Sequence, residues 1–168
     1  MSSVLSFRNL SLLTGLLALT ALPALAQPTP ALSLASSEAD GTHLVGPDGR
    51  PVYAMLTKGS GGDDEDPLAS CGASCLQDWP LLVTEGEPSF GEGIEAALVD
   101  TKPWRGVNVL TYADQPLFQF HRDILGEAPE GQGIFSYGGW WALVRPDGSL
   151  VRSSTMPEHG DTDEMIEG

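Results

Sequence analysis

The chain predicts an all-β fold in which two similar hairpin-rich halves pack as a small antiparallel sandwich, and three observations predict it. The run Pro116-Leu-Phe-Gln-Phe-His-Arg-Asp123 is echoed earlier by Pro51-Val-Tyr-Ala-Met-Leu-Thr-Lys58. In both, a proline enters a short stretch whose alternate residues, Phe118 and Phe120 or Tyr53 and Met55, are apolar or aromatic, as a half-buried strand requires. Pro-Asp-Gly occurs at 47–49 and again at 146–148, each time between apolar runs, and supplies a tight reversal. Finally, Trp79-Pro-Leu-Leu-Val83 and Trp140-Trp141-Ala-Leu-Val144 each follow a polar loop and resume an apolar strand. Each half therefore runs hairpin, loop, tryptophan strand.

In chain order, residues 1–26 read as an export signal: Arg8, an apolar core from Leu10 to about Leu22, Pro23, then Ala24-Leu25-Ala26 with small residues at a cleavage point. The apolar run is short for a membrane span, and no later stretch is long and uncharged enough to make one. Residues 27–38, rich in Pro, Ala, Ser and Thr, are expected to form a flexible tether. The duplicated β domain is placed at 39–152, a size that fits one modest core. Residues 153–168 carry five carboxylates and few apolar groups and read as an acidic tail. This organisation places the mature chain, soluble, in the periplasm or outside the cell.

Between the strands, Gly59-Ser-Gly-Gly-Asp-Asp-Glu-Asp-Pro67 has nothing apolar to bury, and its contiguous acids lack the alternate spacing by which calcium loops converge on an ion. Next, Cys71-Gly-Ala-Ser-Cys75 holds the only two cysteines. In an exported chain a disulfide between them is the first expectation, fixing the turn that delivers Trp79. The loop is small, so the chain-entropy contribution is about 2 kcal/mol. Thiol exchange or metal ligation are the alternatives. A three-residue spacing in acidic surroundings disfavours a low-pKa thiol. Residues 94–99 suggest a helical turn or a short strand, and 106–116 a further hairpin.

The chain carries 8 basic and 23 acidic residues, a net charge of −15, and the leader would take Arg8 with it. Such a field repels phosphate backbones and anionic headgroups, which disfavours nucleic-acid and peripheral membrane partners. Of three histidines, His121 lies two residues from Asp123, so a strand would place both on one side as a candidate copper or zinc site, with Met156 or His159 joining from the tail. No nucleophile elbow, zinc-protease helix or phosphate loop is present in the sequence. Adjacent Trp140 and Trp141 would point to opposite faces of a strand, which makes them a candidate surface for an apolar or sugar-like ligand.

Together, Gly-Pro-Asp-Gly-Arg-Pro-Val-Tyr, the Cys-Gly-Ala-Ser-Cys before Asp78-Trp79-Pro80, and Pro-Leu-Phe-Gln-Phe-His-Arg-Asp followed by Gly131-Gln-Gly133 and Trp140-Trp141 resemble the bacterial secreted-repeat family, described as predicted lipoproteins with a Tyr-x-aromatic-x-x-Asp motif. The resemblance covers roughly Leu44 to Val144. It implies an exported, duplicated β domain of unassigned biochemical function. Here the motif positions are Tyr53, Met55 and Lys58 in the first copy, and Phe118, Phe120 and Asp123 in the second. Neither copy keeps both tyrosine and acid, which favours a structural reading in which the aromatics pack and Asp123 caps a turn. The lipidated cysteine expected of the family is missing.

The functional expectation is a non-enzymatic envelope or extracellular protein that binds a small molecule or an envelope protein. A periplasmic metal- or redox-linked protein using His121, Asp123 and the cysteines is the competing reading. No cofactor is indicated, and oligomeric state is not specified.

Overall fold

The computed structural model describes residues 31–57, 66–154 and 156. The leader, Lys58, most of the acidic loop and nearly all of the tail, His159 included, lie outside them. Within them the fold is all-β and every strand pairing is antiparallel.

Strand β1 (Ser33–Ser37) pairs with β2 (Gly41–Val45). This corrects the tether expected at 27–38 over its described part, from residue 31 onward. Leu32 and Leu44 are fully buried, and that burial, together with the ladder to β2, outweighs the low hydrophobicity of Ser-Leu-Ala-Ser-Ser. The Pro-Asp-Gly turn then leads into β3 (Tyr53–Thr57), which pairs with β9 (Gly139–Leu143), itself paired with β8 (Phe135–Ser136). A third sheet places β6 (Val107–Tyr112) between β4 (Val83–Thr84) and β5 (Val99–Trp104), with β7 (Gln115–Pro116) also on β6. A single 3-10 turn, Ala96–Leu98, precedes β5.

Two departures concern the aromatic runs. The region around the cysteines is not a plain turn but two short helices, α1 (Pro67–Ser70) and α2 (Ala73–Asp78). Asp66 caps the first by accepting from Leu68 N–H, and Pro67 stands in its first turn, where a missing N–H costs nothing. Trp79 ends α2 rather than starting a strand. Phe118 joins its neighbours through isolated bridges to Tyr53 and Leu81 instead of lying in a continuous strand.

The duplication is visible in the backbone hydrogen bonds, and the two halves are interlaced. In the first half Val52 N–H donates to Leu44 O, Leu44 N–H to Val144 O, and Val144 N–H to Val52 O, at 3.0, 2.9 and 3.4 Å. In the second Leu117 N–H donates to Leu110 O, Leu110 N–H to Leu82 O, and Leu82 N–H to Leu117 O, at 3.0, 2.8 and 2.9 Å. These are the same closed ring of three, and each ring is completed by the tryptophan segment of the opposite half. Where the two halves meet, Tyr53 and Phe118 exchange both backbone bonds, at 2.8 and 2.9 Å. Trp79 and Trp141 stack there with centroids 3.9 Å apart and planes 4° from parallel. Tyr53 meets Trp79 edge-on at 5.5 Å and 82°, and Phe118 meets Trp141 edge-on at 5.0 Å and 82°. Phe120 stacks on Trp79, while Met55 lies opposite Trp141 in the β3–β9 register. An approximate two-fold axis thus relates the halves and runs through their shared aromatic core.

Candidate functional site

Position 53 keeps its tyrosine and position 123 its acid, and the fold brings these two residues from different copies together. Tyr53 is fully buried and Asp123 is 5% exposed. The Tyr53 hydroxyl donates to Asp123 Oδ2 at 2.8 Å and accepts from Gly131 N–H at 3.2 Å. Asp123 Oδ1 accepts from Glu130 N–H at 2.8 Å. Neither copy holds a complete tyrosine–carboxylate pair, yet one such pair is made across the halves. Gly131 is required by close approach rather than by its dihedral angle, since a Cβ there would sit 2.7 Å from Tyr53 Cζ.

Burial raises the Asp123 pKa above its ordinary 3.8, against the lowering effect of the Tyr53 and Glu130 hydrogen bonds. Burial, with the Asp123 charge adding to it, pushes the Tyr53 phenol far above 10.0. Every polar atom of the cluster is satisfied and covered. It is a clasp between halves whose buried side-chain polar atoms are hydrogen-bonded.

The candidate metal pair is dispersed. His121 and Asp123 occupy a turn, not a strand, so the two-residue spacing does not align them. Asp123 points inward to Tyr53, while His121 is exposed, with Nδ1 3.1 Å from Asp78 O and 3.7 Å from Asp78 Oδ1. Met156 is buried by packing, and His43 is buried with Nδ1 3.0 Å from Gly41 O. Among the described residues no group of three or more His, Cys, Asp or Glu side chains converges. Cys71 and Cys75 form a disulfide with both residues buried in the aromatic core. Thiol exchange requires an attacking thiolate to reach a sulfur, and here the approach is covered.

Trp140 and Trp141 separate as alternation requires: Trp141 is fully buried, whereas Trp140 is partly exposed. Trp140 lies across the ladder from Phe135, their rings 5.0 Å apart, and Phe135 is 52% exposed. The turn joining β8 to β9 adds Tyr137, which holds a left-handed backbone at φ 56°, followed by Gly138 at φ 84°. Asn, Asp or Gly would occupy the first of these positions with less strain. What holds tyrosine there is its hydroxyl, which donates to Asp78 Oδ2 at 2.6 Å, a bond that also raises the phenol pKa. Tyr137 further lines an open cleft of about 350 Å³ with Asp66, Ala69 and Ser70. Phe135 and Trp140 thus make a partly exposed aromatic pair on the β8–β9 hairpin, while Tyr137, in the turn between the two strands, borders the Asp66 cleft and bonds Asp78. The tryptophan doublet signalled part of it; Phe135 carried no sequence signal, because a two-residue strand after a glycine-rich loop has no period to read.

No family model, curated protein or solved structure matches the chain. No helix among the described residues is long and apolar enough to cross a membrane.

Proposed function

We propose that this is an exported, non-enzymatic binding module of the cell envelope or extracellular space, and that it takes sugar-like ligands on the outer face of the β8–β9 hairpin. The observation that carries this reading is one hairpin bearing Phe135 and Tyr137 exposed and Trp140 partly exposed, with Tyr137 lining an open cleft together with the carboxylate residue Asp66. Flat aromatic faces stack on the apolar faces of pyranose rings, and carboxylates accept hydrogen bonds from the hydroxyls at their edges. The export-signal pattern and a disulfide both suit an oxidising compartment.

Membership of the secreted-repeat family is part of this proposal and rests on the motif residues. Their surroundings support a structural role for the motif, since Tyr53, Met55, Phe118, Phe120 and Asp123 are all buried. The metal-linked alternative gains no support from His121 and Asp123, which face opposite environments.

Screening the exported protein on an array of soluble and cell-wall saccharides tests the proposal. Saccharide binding is expected, with W140A and F135A each weakening it about tenfold or more while the melting temperature of each variant stays within a few degrees of wild type. Absence of saccharide binding, or binding equally strong in the W140A/F135A double variant, would overturn it.

A further inference from the structure

The interlacing has a consequence for self-association. Residues 31–84 and 99–151 do not form two separate lobes: each closes its ring of backbone bonds with a strand segment from the other. A single passage of chain joins them, and the disulfide lies wholly within the first. That passage is held by the first half up to Gly91, whose N–H donates to Leu32 O, and by the second from Glu95, whose N–H donates to the Tyr112 hydroxyl. The hinge is therefore the exposed pair Glu92-Gly93, since the next residue, Ile94, is buried in the core. Gly93 is exposed, takes φ 83°, and would place a Cβ 2.7 Å from Leu34 Cδ1.

We propose that the chain associates with a second copy of itself by exchanging halves, residues 31–84 of one copy closing on residues 99–151 of the other. The surface involved is the one that joins the halves within a single chain, so every ring bond, the Tyr53–Asp123 clasp and the Trp79–Trp141 stack are regained in the exchanged dimer. Only the hinge differs. The balance is then set by protein concentration against the effective concentration that the hinge imposes, and by the hinge's own preference for bending back. Proline cannot adopt the left-handed backbone of Gly93, so Gly93→Pro disfavours the bent hinge and leaves the interface intact.

Two differently tagged forms of the full chain, unfolded together with the disulfide intact and refolded at rising concentration, provide the test. A dimer carrying both tags is expected, with native near-ultraviolet circular dichroism, and G93P should raise its proportion about tenfold at a given concentration. A protease site inserted at the exposed Glu92–Gly93 bond identifies the geometry. Cutting an exchanged dimer releases particles of monomer size, whereas a dimer joined by any other surface remains a dimer. Wild-type chain that stays monomeric up to millimolar concentration, or a dimer that survives the cut, would sink the proposal whether or not G93P folds.

Discussion

The two halves share a core and differ in what each inserts before its tryptophan. Before Trp79 the first half carries two short helices, at Pro67–Ser70 and Ala73–Asp78, with Cys71–Cys75 linking them. The second runs from Phe120 to Trp141 through the Asp123 turn, Gly131 and the aromatic β8–β9 hairpin. At the axis the positions are nearly interchangeable, Tyr53 with Phe118 and Met55 with Phe120, because each must fill the same space against a stacked indole. Away from it, nothing enforces likeness. The insertions are where the halves differ in chemistry, and they meet at Tyr137 of the second half, which bonds Asp78 and lines a cleft with Asp66, Ala69 and Ser70 of the first.

The most severe way to probe that likeness is to remove one indole at a time. Both Trp79→Ala and Trp141→Ala should cost about 3–5 kcal/mol in denaturant unfolding, as large aromatic truncations in a packed core do. If the axis is real the two losses should be similar, and the double variant should lose less than their sum, since each single change already destroys the stack. A Trp141 variant much milder than its Trp79 counterpart would show that the core belongs to the first half alone.

The clasp gives the next largest effect. Tyr53→Phe keeps the ring but strips Asp123 of a hydrogen bond to a buried carboxylate and leaves Gly131 N–H without its acceptor, at a cost of about 2 kcal/mol. The mirror change, Phe118→Tyr, adds a hydroxyl to a fully buried ring whose motif counterpart for the acid is Lys58, and should also destabilise, by about 1–3 kcal/mol. Opposite changes at related positions both being harmful, read from chemical denaturation curves, would show that the halves have specialised. A stabilising F118Y would show that they have not.

The disulfide sharpens the comparison from the other side, because only the first half has one. Cys71→Ser with Cys75→Ser should cost about 2 kcal/mol from the lost constraint on so short a loop, while the stacked indoles, held from both halves, keep their near-ultraviolet signal. Loss of that signal on reduction would mean that the clamp, rather than the axis, holds Trp79 in place.

Much of this was legible in the residues and some was not, for physical reasons. Alternation and Pro-Asp-Gly turns disclose strands and reversals, since both are short-range effects, and the echo of Pro51–Lys58 in Pro116–Asp123 discloses duplication. Interlacing is invisible to such reasoning: whether Val144 pairs with its own half or the other is decided by closure of a ring, not by local preference. One trace of it was available. Copy one lacks the acid and copy two lacks the tyrosine, and complementary losses of this kind are what a single pair bridging two copies would leave behind. Strand β1 escaped notice because serine-rich sequence reads as linker unless its burial against Leu44 is known. His121 and Asp123 misled because a spacing of two means one face only in a strand, and a turn sets them apart.

The smallest expected effect tests the electrostatics of the clasp. Burial holds Asp123 with a folded pKa above its ordinary 3.8. A carboxyl whose folded value is raised contributes stability that is fully present below the unfolded value and disappears as pH climbs through the folded one. Asp48, Asp66 and Asp147 shift the other way and contribute to the acid profile with the opposite sign. The informative quantity is therefore the difference between wild type and Asp123→Asn. As pH falls from neutral toward 3.8, wild type should gain on the variant in melting temperature, because protonation relieves a buried charge that asparagine never carries. At the alkaline end the clasp responds through its other member: Tyr53, with its phenol pushed far above 10.0, makes a contribution that is lost as pH rises past that value, and Y53F should be the less sensitive of the two. Parallel curves for wild type and D123N across the acid range would mean that the Asp123 carboxylate is as well solvated folded as unfolded, and hence that the halves are not closed over it.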